Sequence, residues 1–131
     1  MATTIQAKIG ALTVFIDDVP RTKAFYERVF ETKPLFEDDT SVAYAFGETV
    51  LNLVLRSGGP ELIEPAPVAA AGSGSSFMAT IWVANADEAC AELGRRGVSL
   101  LNGPIDRPWG VRTATFQDPD GHVWEVAQQL S

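Results

Sequence analysis

The sequence predicts an α+β fold made of two βαβββ modules in tandem. Three observations predict it. Apolar residues alternate with period two at the start of each half, over 10–17 and again over 77–83. Each alternating run leads into a capped amphipathic segment and then into three more strand-like stretches. Between the halves lies RSGGPELIEPAPVAAAGSGSS, residues 56–76, with the Gly, Pro, Ala and Ser content of a linker. The expected layout is a single domain with module 1 at about 8–56, a linker at 57–76 and module 2 at about 77–131.

In the first strand Leu12, Val14 and Ile16 make an apolar face, and Ala11, Thr13, Phe15 and Asp17 make a mixed one. Asp18 stands at an N-cap position with Pro20 in the first turn, so a helix is expected over 20–30, burying Phe25 and Val29. Strands are expected at 34–37 and 42–46 and, after a turn at 47–49, at 50–55. In the second half Phe77, Ala79, Ile81 and Val83 oppose Met78, Thr80 and Trp82. Asn85, with Glu88 three positions on, caps a helix over 86–96 that ends near Gly94 or Gly97. Cys90 falls on its buried stripe with Ala86, Ala89 and Leu93. Strands then follow at 98–101, 111–117 and 122–128, the last two joined by Asp118-Pro-Asp-Gly121 as a type I turn with a bulge.

Placing Asp18 on Asn85 also places Ala11 on Met78, Val14 on Ile81 and Ile16 on Val83, which marks an internal duplication. One small module cannot bury both faces of its sheet. Two paired modules can, with helices outside and a concave cavity within.

The 131 residues include ten basic and seventeen acidic ones, a net charge of −7. That sign disfavours nucleic acid and anionic membrane surfaces as partners and mildly favours a cationic ligand. A hydrophobic share of 46% supplies an ordinary core. A single cysteine forms no internal disulfide, and residues 1–10 lack the pattern of a secretory leader. No apolar run approaches the ~20 residues that span a bilayer. A cytoplasmic location is expected.

Three motifs, taken in order, carry a family resemblance: Asp18-Val-Pro-Arg-Thr-Lys-Ala-Phe25-Tyr26, Val83-Ala-Asn85-Ala-Asp-Glu-Ala89 and Asp118-Pro-Asp-Gly-His-Val-Trp-Glu125. The sequence resembles the vicinal oxygen chelate superfamily, which holds glyoxalase I, extradiol dioxygenases and bleomycin-resistance proteins. The resemblance implies four positions, on the first and last strands of each module, that hold a divalent ion in metal-dependent members. Here they carry Ala11, Asn52, Met78 and Glu125, of which only Glu125 is a firm ligand.

Residue chemistry points the same way. One histidine and one cysteine cannot build a His-rich transition-metal site. His122 and Glu125, three apart on a strand, point to opposite faces. An oxygen-only set of Asp17, Asn52 and Glu125 would hold Mg²⁺ or Ca²⁺ weakly. No metal and no cofactor are expected, and metal-dependent glyoxalase or ring-cleaving chemistry is rejected.

The candidate ligand-binding residues are Phe15, Asp17, Asn52, Trp82, Trp109, Arg112 and Glu125. Phe15 and Trp82 take equivalent cavity-facing positions and suit a flat or cationic ligand by stacking. Glu125 reads as a counter-ion, as the acid or base if there is catalysis, or as a wetted remnant of a metal site. Trp109, on the loop at 107–110, reads as a lid or as an aromatic folded onto the sheet edge. Arg112 reads as a ligand-orienting cation or a surface ion pair. Trp124, of opposite parity to Glu125, reads as core.

The expected function is metal-independent binding of a small aromatic or amphipathic natural product, as the resemblance to antibiotic-binding members implies. The alternative is a lyase, isomerase or dioxygenase-like enzyme acting on a small metabolite. The resemblance also implies a homodimer.

Overall fold

A computed structural model describes residues 5–131. The leader reading rests partly on residues 1–4, which lie outside the described residues. The first half contains β1 (Ala11–Ile16), α1 (Val19–Phe30), β2 (Phe36–Glu37), β3 (Ser41–Phe46) and β4 (Thr49–Leu55). A 3-10 turn (Arg56–Gly58) and a short helix α2 (Gly59–Ile63) open the linker. The second half contains β5 (Met78–Trp82), α3 (Ala86–Arg95), β6 (Asn102–Arg107), β7 (Val111–Gln117) and β8 (Val123–Gln129).

The strands form two mixed four-stranded sheets with the same topology, β1-β4-β3-β2 and β5-β8-β7-β6. In each, the first and last strands of the half pair in parallel and the remaining neighbours are antiparallel. The α+β architecture of two like modules is therefore present. By contacts the chain divides into two compact units. The first comprises the segments up to Val19 and Thr32–Val68; the second comprises Pro20–Glu31 and Ala69–Ser131, so α1 packs as part of the second.

In the first unit Val14, Ile16, Val42, Tyr44, Leu51 and Leu53 are buried. The register aligns Val14 with Leu53 and Val42, and Leu51 with Tyr44, so these side chains share one face. This is the alternation read from residues 10–17, realised as core.

The second unit is built around α1. Its Thr22, Phe25, Tyr26 and Val29 are buried together with Phe116 and Trp124. The Trp124 ring lies 5.1 Å from Phe30 and 6.0 Å from Tyr26, centroid to centroid. The Tyr26 hydroxyl donates to Asp118 Oδ2 at 2.6 Å, and Trp124 Nε1 donates to the Tyr26 oxygen at 3.1 Å. Burial, then the adjacent Asp118 carboxylate, pushes the Tyr26 phenol far above its ordinary range.

The other Asp118 oxygen accepts the backbone N–H groups of Asp120 and His122, each at 2.9 Å. Gly121, at φ 86°, closes the turn with its N–H on the Asp118 carbonyl at 3.0 Å. The Phe-Tyr and Asp-Pro-Asp-Gly motifs thus meet in one buried polar clamp. Asn85 caps α3 as expected, accepting from the Glu88 N–H at 2.9 Å.

Three expectations need correction. The strand expected at 98–101 lies instead at Asn102–Arg107, since Val98 N–H closes the end of α3 on Leu93 and only Leu101 N–H reaches Thr115. A bulge between Asn102 and Ile105 breaks the period-two pattern there. The strand expected at 34–37 shrinks to Phe36–Glu37. The linker is also not structureless, because Pro60 falls where α2 tolerates it, in the first turn.

Candidate functional site

The duplication places two sets of residues at equivalent positions. On the first sheet the register pairs Thr13 with Asn52, with Phe15 two residues further along β1. On the second it pairs Thr80 with Glu125, with Trp82 two residues further along β5. Within each unit these side chains share the face opposite the core.

On the first sheet the candidates are engaged internally. Asn52 Nδ2 donates to Thr13 Oγ1 at 3.3 Å. Arg56, at the start of the linker, donates to Asp17 at 2.9 Å and neutralises it. Phe15 is half-buried because the linker returns over it. A Cβ added at Gly59 would lie 2.5 Å from Val68 Cγ2 and 3.2 Å from Phe15 Cε1, so α2 passes close over Phe15 with little room for a side chain.

On the second sheet Trp82 is 61% exposed and Met78 47%. Glu125 is half-buried and accepts from the Thr80 hydroxyl at 2.9 Å. Trp109, 72% exposed, occupies the turn between β6 and β7. Arg112 is not brought to this face. It pairs with Gln128 across β8 and so shares the parity of Trp124, opposite that of Glu125. Its guanidinium donates to Asp106 at 2.6 Å and to Asp87 of α3 at 3.0 Å. The hydrogen bonds and charge of Arg112 hold the Asp106 carboxyl below the usual carboxylate range. The ion-pair reading of Arg112 is the one that the geometry matches.

Sequence reasoning missed Arg107. The bulge at Gly103 adds one residue between the Thr115 and Thr113 rows, so Asn102 and Arg107 fall on the same face as Glu125. Arg107 Nε donates to Thr113 Oγ1 at 2.9 Å, and Nη2 reaches Asn102 Oδ1 at 3.4 Å. Thr115, directly across from Glu125, has its hydroxyl buried with no partner among the described residues. The signal available in the sequence was the Asn-Gly-Pro triplet, which marks a break without saying that a strand continues through it.

Cys90 is half-buried, and burial followed by the charge of Asp87 raises its thiol, the reverse of what a nucleophile needs. A cavity of about 330 Å³ lies at the turn end of the second sheet, lined by Gly72, Gly74, Ser75, Gln117, Asp120, Gly121 and Val123. None of the sequence-predicted site residues lines it.

Residues 8–126 match the Glyoxalase/Bleomycin resistance protein/Dioxygenase superfamily. The chain belongs to that superfamily. A virulence protein of Salmonella typhimurium is 25% identical over 128 residues, covering 94% of this chain and 85% of that protein. A crystal structure of a glyoxalase/bleomycin resistance protein/dioxygenase from Nocardioides superposes with a TM-score of 0.86 at 22% identity, covering 98% of this chain and 87% of that one. An antibiotic-binding protein from a Streptomyces species has a TM-score of 0.71 at 26% identity, covering 97% and 99%.

Of the positions that the resemblance assigns to metal ligands, Ala11 and Met78 supply no hard oxygen or imidazole nitrogen, and so do not fit a divalent cation. Among the described residues no three His, Cys, Asp or Glu side chains are grouped where they could hold one. Likewise no described helix is long and apolar enough to cross a membrane.

Proposed function

We propose that this member of the superfamily binds a small flat aromatic or amphipathic natural product without a metal, on the face of the second sheet. The observation that carries the reading is Trp82, exposed beside a half-buried Glu125 whose carboxylate is steadied by one Thr80 hydroxyl. An exposed indole gives a stacking surface, and a partly desolvated carboxylate accepts a donor or a cation from the same ligand. Trp109, at the same end of the sheet as Trp82, adds a second aromatic edge. Similarity to an antibiotic-binding protein is in keeping with binding. In this reading the protein works in the cytoplasm as a homodimer, with exposed Leu35 and Phe36 at the β2 edge offering apolar surface to a second copy.

The test is a tryptophan-fluorescence titration with planar polycyclic compounds such as anthraquinones. Saturable quenching, weakened at least tenfold in Trp82→Ala, with the compound recovered unchanged, is the expected result. A product whose formation is lost in Glu125→Gln would replace this reading with an enzyme. Absence of quenching by every compound would end it.

A further inference from the structure

We infer that the cavity at the turn end of the second sheet is a subsite for a neutral, polyhydroxylated group, so that the ligand is a flat aromatic carrying one sugar-like substituent. This rests on the binding reading above and narrows it.

The cavity continues the face that bears Glu125. Gln117 stands across from Val123, and Val123 across from Met78, in the row beside Thr115, Glu125 and Thr80. Gln117 and Val123 both line the cavity. The way to it along the sheet is open, since Met78, Thr80 and Trp82 are exposed and Val123 and Glu125 are half-buried. Four residues of strand separate Trp82 from Met78, about 13 Å, and Val123 lies one interstrand spacing, about 5 Å, to the side. A flat aromatic lying along that strip brings a substituent to the cavity mouth.

The linker builds the outer wall, and its chain is shaped for the purpose. Gly72 and Gly74 stand at φ 77° and 94°, where a side chain is strained. Ser75 Oγ donates to the Phe77 carbonyl at 2.8 Å, and the Phe77 ring lies 6.2 Å from the ring of His122, centroid to centroid. The wall is thus tied to the turn that it faces.

The lining selects the chemistry. Its one charged side chain, Asp120, is 1% exposed and pairs with Arg21 at 3.1 Å, so the carboxylate is already balanced and does not come forward to a cation. An anion would meet Asp120 in the lining and Glu125 one row away. Val123 is the one large apolar side chain, so a hydrocarbon group gains little. What remains is hydrogen bonding from more than one side. Gln117 is exposed and offers two donors and an acceptor. Ser75, its proton already given to Phe77, offers lone pairs from the linker. A ring with hydroxyls around it meets both, where a single hydroxyl or amide meets one. The volume of about 330 Å³ is at the small end of the roughly 300–1,000 Å³ of small-molecule sites, and suits one sugar ring.

The test compares 2-naphthol, 2-naphthyl β-glucoside and 2-naphthyl β-glucuronide by titration calorimetry on the full chain. The wild type should bind the glucoside about tenfold more tightly than naphthol, the worth of one or two net hydrogen bonds. The glucuronide, which adds only a carboxylate, should lose most of that gain. Gln117→Leu keeps the bulk and removes the amide, and should bring the glucoside and naphthol to the same affinity. A readout that needs no variant is ¹⁵N NMR, in which Gly72, Gly74 and Ser75 should shift with the glucoside and stay in place with naphthol. No gain from the sugar, a gain that survives in Gln117→Leu, or linker resonances that ignore the glucoside overturns the inference while leaving the aromatic site standing. A glucuronide bound as tightly as the glucoside overturns the neutral assignment. Failure of all three probes to bind the wild type overturns the aromatic site and the inference with it.

Discussion

The two sheets carry the same arrangement of residues and put it to opposite uses. Thr13, Asn52 and Phe15 on the first match Thr80, Glu125 and Trp82 on the second, position for position. On the first sheet the amide of Asn52 donates to threonine, whereas on the second the threonine donates to a carboxylate. The first aromatic is covered by the linker; the second stands in solvent. The same arrangement is therefore engaged internally on the first sheet and left partly open on the second. A neutral, self-bonded and covered set reads as structure. A charged set whose aromatic stands exposed is the one proposed as a site.

The comparison can be broken most severely at Gly103, in the bulge of the second sheet. A Cβ there would lie 2.4 Å from the Thr113 carbonyl oxygen and 2.6 Å from Ala114 Cα, at φ +95°. Gly103→Ala should cost about 3 kcal/mol or more, because the obstacle is backbone and cannot swing aside. Urea denaturation would measure it, and a loss below about 1 kcal/mol would mean that the bulge does not set the geometry of β6.

Next comes the clamp between α1 and the Asp118 turn. Tyr26→Phe leaves a buried carboxylate oxygen and the Trp124 N–H without their shared partner, for an expected loss of about 2 kcal/mol. Its pH signature is distinctive. The folded-state phenol is raised, so its contribution is complete below the ordinary tyrosine value of about 10 and fades as pH rises above it. The wild type should lose stability above that pH more steeply than Tyr26→Phe, measured by thermal melts between neutral pH and pH 11. Parallel curves would remove Tyr26 from the clamp.

A smaller effect is expected where the linker covers the first sheet. The Gly59→Ala methyl meets the tip of Val68, a side chain that can give way in part, so about 1–2 kcal/mol is expected. Faster proteolysis within residues 56–68 should accompany it. Smallest is Arg56→Gln, which frees Asp17 from a solvent-facing ion pair and should change stability by under about 1 kcal/mol. A large loss in Arg56→Gln would show that the pair does more than neutralise a surface carboxylate.

Much of this was legible in the sequence, for physical reasons that differ by element. Period-two alternation over 10–17 and 77–83 located β1 and β5 and assigned their faces, since a strand with one face in the core must alternate. Asn85 announced α3 because an exposed N–H needs an acceptor at that spot. The region before Trp109 was opaque because a bulge shifts the parity of everything beyond it, and Arg107 was lost with it. Arg112 was legible as a cation but not as to its face, which depends on register with β8 rather than on β7 alone. The role of Asp118 was hidden for a related reason. A carboxylate in a Pro-Gly turn reads as a local turn former, and its long-range partner, Tyr26, stands 92 residues away.

The central claim is that ligand is taken by the second sheet and not by its twin. Two-dimensional ¹⁵N NMR of the full chain titrated with an anthraquinone tests it most directly. The account predicts saturable shifts concentrated at Met78, Thr80, Trp82 and Glu125, with Thr13, Phe15 and Asn52 largely unmoved. Shifts concentrated on Thr13, Phe15 and Asn52 instead would contradict it.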